Sequence, residues 1–148
     1  MKSWDQYFID LAHSVKSKAK DTTQVGCVLV GEDQEVLSTG WNGFSRGINE
    51  TPERMKRPEK YHWTIHAEAN AICNAAKAGT RLKGASAYVT HMPCEHCIDL
   101  LIQSGIKCIV VESVDDFHNP EIYGFDITKI KAEESGIELR FYKRTEIE

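Results

Sequence analysis

"ASAYVTHMPCEHCIDLLIQSGIKCIVVE", residues 85–112, decides the fold class. "ASAYVT", 85–90, reads as a strand. "CEHCIDLLIQSG", 94–105, reads as a helix, with Pro93 where helices begin and Gly105 where they end. "KCIVVE", 107–112, is an apolar, β-branched run of the kind buried inside a sheet. Strand, helix and strand in succession predict an α/β fold, a sheet with helices packed on both faces.

Working outward, residues 126–135 read as a short helix and "IELRFYK", 137–143, as a final alternating strand, with a loop over 113–125. Upstream, residues 66–77 are rich in alanine and end at Gly79, a helix with its terminator. "QVGCVLVGEDQEVLSTGWNG" holds two short apolar runs, 24–30 and 35–41, around a 31–34 turn, a hairpin pattern. Trp4, Tyr7, Phe8, Leu11, Ala12 and Val15 recur at helical spacing, so a first helix is expected over 4–18 with Ser3 as its N-cap. The pattern dissolves in "FSRGINETPERMKRPEK", 44–60, which reads as a loop. Its basic Arg46, Arg54, Lys56, Arg57 and Lys60 outnumber Glu50, Glu53 and Glu59, a local patch suited to a small phosphorylated ligand or simply to water.

The totals exclude several classes. A chain of 148 residues suits one domain, 1–148, with a single core. A net charge of −4 supplies no field for holding long nucleic acid. There is no apolar run of membrane-spanning length and no apolar leader at the start, so a cytoplasmic protein without membrane contact is expected. Five cysteines in a reducing compartment do not make a disulfide scaffold. Cys27, Cys73 and Cys108 lie in apolar stretches and read as small core residues, whereas the close pair Cys94/Cys97 points to metal or redox chemistry.

His66, Cys94 and Cys97 are the candidate metal ligands. Cysteines at i and i+3 where a helix begins share a face, and the free N–H groups there favour thiolates. Zinc accepts such an S/N set tetrahedrally. Three protein ligands plus water mark a catalytic site and four a structural one, and His62, His91 or His96 could supply a fourth. Glu68, two residues after His66, stands where a carboxylate can address a zinc-bound water instead of the ion.

H-x-E followed by P-C-x-x-C is the signature of zinc nucleobase deaminases, and both halves are present as "HAE", 66–68, and "PCEHC", 93–97. With "VGCVLV", "GWNGFSRG", "KYHWTIHAEANAI" and "YVTHMPCEHC", the chain resembles the cytidine deaminase superfamily over about residues 4–143, and within it the deoxycytidylate branch. The resemblance implies a three-layer α/β/α sandwich around a mixed five-stranded sheet, and hydrolysis of dCMP to dUMP and ammonia. It implies one Zn2+ on His66, Cys94 and Cys97, with Glu68 as proton shuttle. Asn42, Ala67, Thr90 and Tyr123 would meet the substrate, Tyr123 as an aromatic lid. Gly43, Phe44, Ser45, Arg46, Gly47 and Asn70 would serve an effector, dCTP activating and dTTP inhibiting with Mg2+ on the triphosphate, in a homohexamer. His91 departs from the branch, which usually has an apolar residue there, and His96 stands between the cysteines. His118 and Glu112 are further candidates for the base or phosphate. The competing readings are a tRNA adenosine, nucleoside or free-base deaminase of the same fold, and a nucleotide sensor without activity.

Overall fold

The structure, a computed structural model, describes residues 1–112 and 123–143. Helix α1 (Trp4–Lys16) precedes strands β1 (Gly26–Val30), β2 (Val36–Trp41) and β3 (Gly43–Phe44). Helix α2 (Pro52–Met55), a 3-10 turn (Glu59–His62) and β4 (Thr64–Ile65) lead to α3 (Ala67–Ala78). Strand β5 (Ser86–Val89), α4 (Glu95–Gln103), β6 (Cys108–Glu112), α5 (Phe125–Ser135) and β7 (Glu138–Tyr142) follow. His118 and most of the loop expected over 113–125 lie outside the described residues.

Five strands form one sheet in the order β2-β1-β5-β6-β7. The first two pairings, β2 with β1 and β1 with β5, are antiparallel; β5–β6 and β6–β7 are parallel, so the sheet is mixed. Alternation along the central strands sorts the core into two layers. Cys27, Leu29, Ala87, Val89, Ile109 and Val111 face α3, α4 and α5, where they meet Ala67, Ala71, Ile98, Leu101 and Ala132. Val28, Val30, Tyr88, Cys108 and Val110 face Phe8, Ile9 and Ala12 of α1. This is the expected sandwich. Each fully buried large aliphatic, such as Ile98 or Leu101, adds about 1.5–3 kcal/mol.

Helix ends depart from expectation by a few residues for local reasons. The Ser3 hydroxyl accepts from the Gln6 N–H as the predicted N-cap. The first helix stops at Lys16 and not at 18, because the N–H groups of Ser17, Lys18 and Ala19 turn to carbonyls three residues back. The reading of 44–60 as loop is corrected: Thr51 caps the short α2, Pro52 takes its first turn, and β3 and β4 close the segment as a two-residue antiparallel ladder. Cys73 is also corrected. It lies on the outward side of α3 and is exposed, while Cys27 and Cys108 are buried as expected. No helix among the described residues is long and apolar enough to cross a membrane.

Candidate active site

Two helix starts meet at the carboxyl-end side of the sheet and bring the motif halves together. His66 is the extended N-cap of α3, yet its ring makes no capping bond. Nδ1 instead lies 3.4 Å from Cys94 Sγ and 3.3 Å from Cys97 Sγ. Cys94 is itself the N-cap of α4, its sulfur accepting from the Cys97 N–H at 3.4 Å. Both cysteines are buried, and the three donor atoms lie within 4.8 Å of one another. The Cys94 thiol is held well below its ordinary pKa by hydrogen bonds from Cys97 and His66, and the Cys97 thiol is pushed up by its bond to Cys94 and by burial. His66 is raised chiefly by its bond to Cys94.

One imidazole and two sulfurs converging in a buried recess suit zinc by donor chemistry and by spacing. No fourth His, Cys, Asp or Glu joins the cluster among the described residues. His62 is exposed and the His96 side chain is 86% exposed. His91 lines the adjoining cleft and bonds the Thr90 hydroxyl through Nδ1 at 2.8 Å. An ion held by these three donors would keep a fourth, tetrahedral position for water.

Glu68, in the first turn of α3, is 3% exposed and stands outside the ligand cluster. Burial pushes its carboxyl pKa up to about 7, against the opposing pull of His66 and a hydrogen bond with Cys97. Such a carboxyl both takes and gives a proton near neutral pH.

The donor group borders a cleft that is open to solvent on one side. Its walls include Ala67, Asn42 and Tyr123, three of the four residues expected at the substrate. The Tyr123 ring lies 6.4 Å from that of His66 and stacks on Phe125. Thr90 is a correction. It is fully buried, its hydroxyl accepts from the Gly26 N–H, and His91 and Met92 take the wall position instead. Asn42 reaches the cleft but already spends both ends of its amide on backbone, accepting from Val25 N–H and donating to Thr23 C=O.

The six expected effector residues do not converge. Gly43 and Phe44 line a neighbouring cleft. Ser45, Arg46 and Gly47 are not among its walls; Arg46 donates to Asn74, and Asn70 donates to the Trp41 carbonyl.

Asp21, Thr23, Arg57, Lys60 and Tyr61 also line the cleft beside the donor group and were not singled out as site residues from sequence. Basic excess in 44–60 was the available signal; the partner of Lys60, Asp21, lies 39 positions away. The two meet at 2.8 Å with both side chains largely buried. Burial pushes the Asp21 carboxyl up, but hydrogen bonds from Lys60 and the Thr23 N–H reverse this and leave it below the ordinary carboxylate value. A depressed pKa contributes stability above the unfolded value near 4, lost as pH falls through the folded value. Asp21→Asn should therefore lower the unfolding free energy, measured by urea titration, by about 1–2 kcal/mol at pH 7. That deficit should shrink below about pH 4, where the wild type loses the same contribution; a constant deficit across the titration would refute the pairing's role.

Comparison with known proteins agrees with this geometry. The family model for the cytidine and deoxycytidylate deaminase zinc-binding region matches residues 2–113. An uncharacterized deaminase in the luxG 3′ region of Aliivibrio fischeri is 33% identical over 141 residues, covering 94% of this chain and 93% of that protein. Human deoxycytidylate deaminase is 36% identical over 125 residues, covering 80% of this chain and 68% of it. The fold superposes on the dCMP deaminase of cyanophage S-TIM5, solved with dCMP and dUMP, with a TM-score of 0.75 at 23% identity over 96% of this chain and 99% of that one. Motif, ligand geometry and matched length agree, and the chain belongs to the cytidine and deoxycytidylate deaminase family.

Proposed function

We propose that this chain hydrolyses the amino group of dCMP, giving dUMP and ammonia. The observation that carries the reading is the juxtaposition of a buried carboxyl, held near neutrality, with a three-donor metal group at the edge of a cleft lined by Asn42, Ala67 and Tyr123. Human deoxycytidylate deaminase, at 36% identity, supports the choice of substrate.

Held by His66, Cys94 and Cys97, zinc would supply a water acidic enough to ionise near neutral pH. Glu68 accepts a proton from the attacking water, passes it to the ring nitrogen beside the amino-bearing carbon, and delivers the next to the departing amine. The recess that raises its pKa also keeps bulk water from competing for those protons. Tyr123 walls the base, and Ala67, being small, leaves room for the ring against the first turn of α3.

Purified, zinc-loaded protein should release ammonia from dCMP far faster than from cytidine, adenosine in a tRNA anticodon loop, or guanine; a clear preference for one of these would overturn the substrate. Resemblance to the deoxycytidylate branch extends the proposal to a homohexamer under nucleotide control, with Gly43 and Phe44 in the neighbouring cleft at the effector. Sigmoidal dCMP kinetics made hyperbolic by dCTP and suppressed by dTTP with Mg2+ are expected. Hyperbolic rates indifferent to both triphosphates would remove the regulation and leave the activity standing.

A further inference from the structure

We propose that Arg57 receives the 5′-phosphate of the substrate and that selectivity for a monophosphate over the free nucleoside resides in its guanidinium. The inference rests on the deaminase reading of the cleft.

Apart from the metal-facing group, the charged side chains lining the cleft among the described residues are Asp21, Arg57 and Lys60. Lys60 and Asp21 sit 2.8 Å apart with little solvent, so their charges offset one another locally. Arg57 differs. Among the described residues it makes no ion pair and donates only to neutral hydroxyls, through Nε to Tyr61 Oη at 2.9 Å and through a terminal nitrogen to Thr23 Oγ1 at 3.4 Å. Those bonds come from two separate segments, the 3-10 turn and the stretch before β1. They hold the guanidinium in place without neutralising it. A guanidinium carries more N–H donors than these two bonds use, and its planar fork matches phosphate oxygens.

Depth agrees with charge. Glu68 and Cys94 are buried at the floor, whereas Arg57 is exposed at the mouth. A nucleotide with its amino group at the floor directs the opposite end of the molecule, the phosphate, toward the mouth. Arg54 supplies the internal control. It carries the same charge in the same segment, but its guanidinium lies 4.0 Å over the Trp63 ring, donates to the Asn49 carbonyl, and does not line the cleft.

The test compares zinc-loaded wild type with Arg57→Gln, Arg57→Lys and Arg54→Gln, measuring kcat/KM on dCMP and deoxycytidine and the equilibrium affinity for dUMP by calorimetry. Arg57→Gln should lose about 10- to 100-fold on dCMP, the effect of a charge-assisted hydrogen bond, chiefly through KM. The loss on deoxycytidine should be smaller, so the preference for the monophosphate collapses. Arg57→Lys should recover part of it, and Arg54→Gln should keep the wild-type ratio. Equal losses on both substrates in Arg57→Gln, or an equal collapse in Arg54→Gln, would overturn the assignment. If wild type deaminates neither compound, the activity proposed above fails, and dUMP binding decides alone: binding weakened in Arg57→Gln upholds the phosphate role, and binding unchanged there or absent from wild type overturns it.

Discussion

Replacing Glu68 with glutamine is expected to reduce dCMP turnover by about 10³-fold while zinc content stays at that of the wild type. Glutamine keeps the size of the side chain and the first turn of α3, so the fold and the ligand group should persist. What it removes is the ability to hold and release a proton. In this recess that ability is unusual, because burial lifts the carboxyl to about 7 where an exposed glutamate would be ionised and a poor acid. Cys94→Ser separates the roles. Its sulfur is both the N-cap of α4 and a donor of the ligand group, so that variant should lose metal and turnover together. Metal analysis beside initial rates distinguishes the two. Retention of more than about a tenth of wild-type turnover in Glu68→Gln would remove this residue from proton transfer, since general acid–base catalysis is worth at least that much.

The parts of the site legible in the sequence are those where function and local structure share residues. His66, Cys94 and Cys97 stand at helix starts, so the same short motifs announce the candidate donors and the elements that bring them together. Strands β5 and β6 are buried on both faces and advertise themselves as apolar runs. The outer wall of the cleft had no such overlap. Lys60 finds Asp21, and Arg57 finds Thr23, across 39 and 34 positions, and no periodicity encodes those meetings. Thr90 illustrates the reverse error. Motif position placed it at the substrate, but strand alternation turns its hydroxyl inward to the Gly26 N–H. In 44–60 the cap and proline at Thr51 and Pro52 were present and were outweighed by the lack of an apolar period, because α2 is short and buries none of its residues.

Gly40→Ala should lower stability by about 3 kcal/mol, with weaker zinc retention as its signature. A Cβ at Gly40 would stand 2.3 Å from the backbone nitrogen of Ala71 and 2.5 Å from the carbonyl oxygen of Ala67. Both atoms belong to the backbone of α3, so no rotamer change relieves the clash; helix and strand must part. They are fastened close to it. The Ser38 hydroxyl donates to the Ala71 carbonyl at 2.7 Å, and the amides of Asn70 and Asn74 donate to the carbonyls of Trp41 and Thr39 at 2.8 Å each. Moving α3 away stretches all of these and carries His66 and Glu68, at its first turn, out of line with the α4 cysteines. Gly43→Ala is the control, since a Cβ there meets nothing within 4 Å and should cost no more than about 0.5 kcal/mol. Urea unfolding of zinc-loaded proteins, followed by chelator competition for the metal, reads both effects. A Gly40→Ala protein as stable as wild type would mean that β2 and α3 do not approach this closely; one that is destabilised but holds zinc as well as the Gly43 variant would show that the site does not depend on their packing.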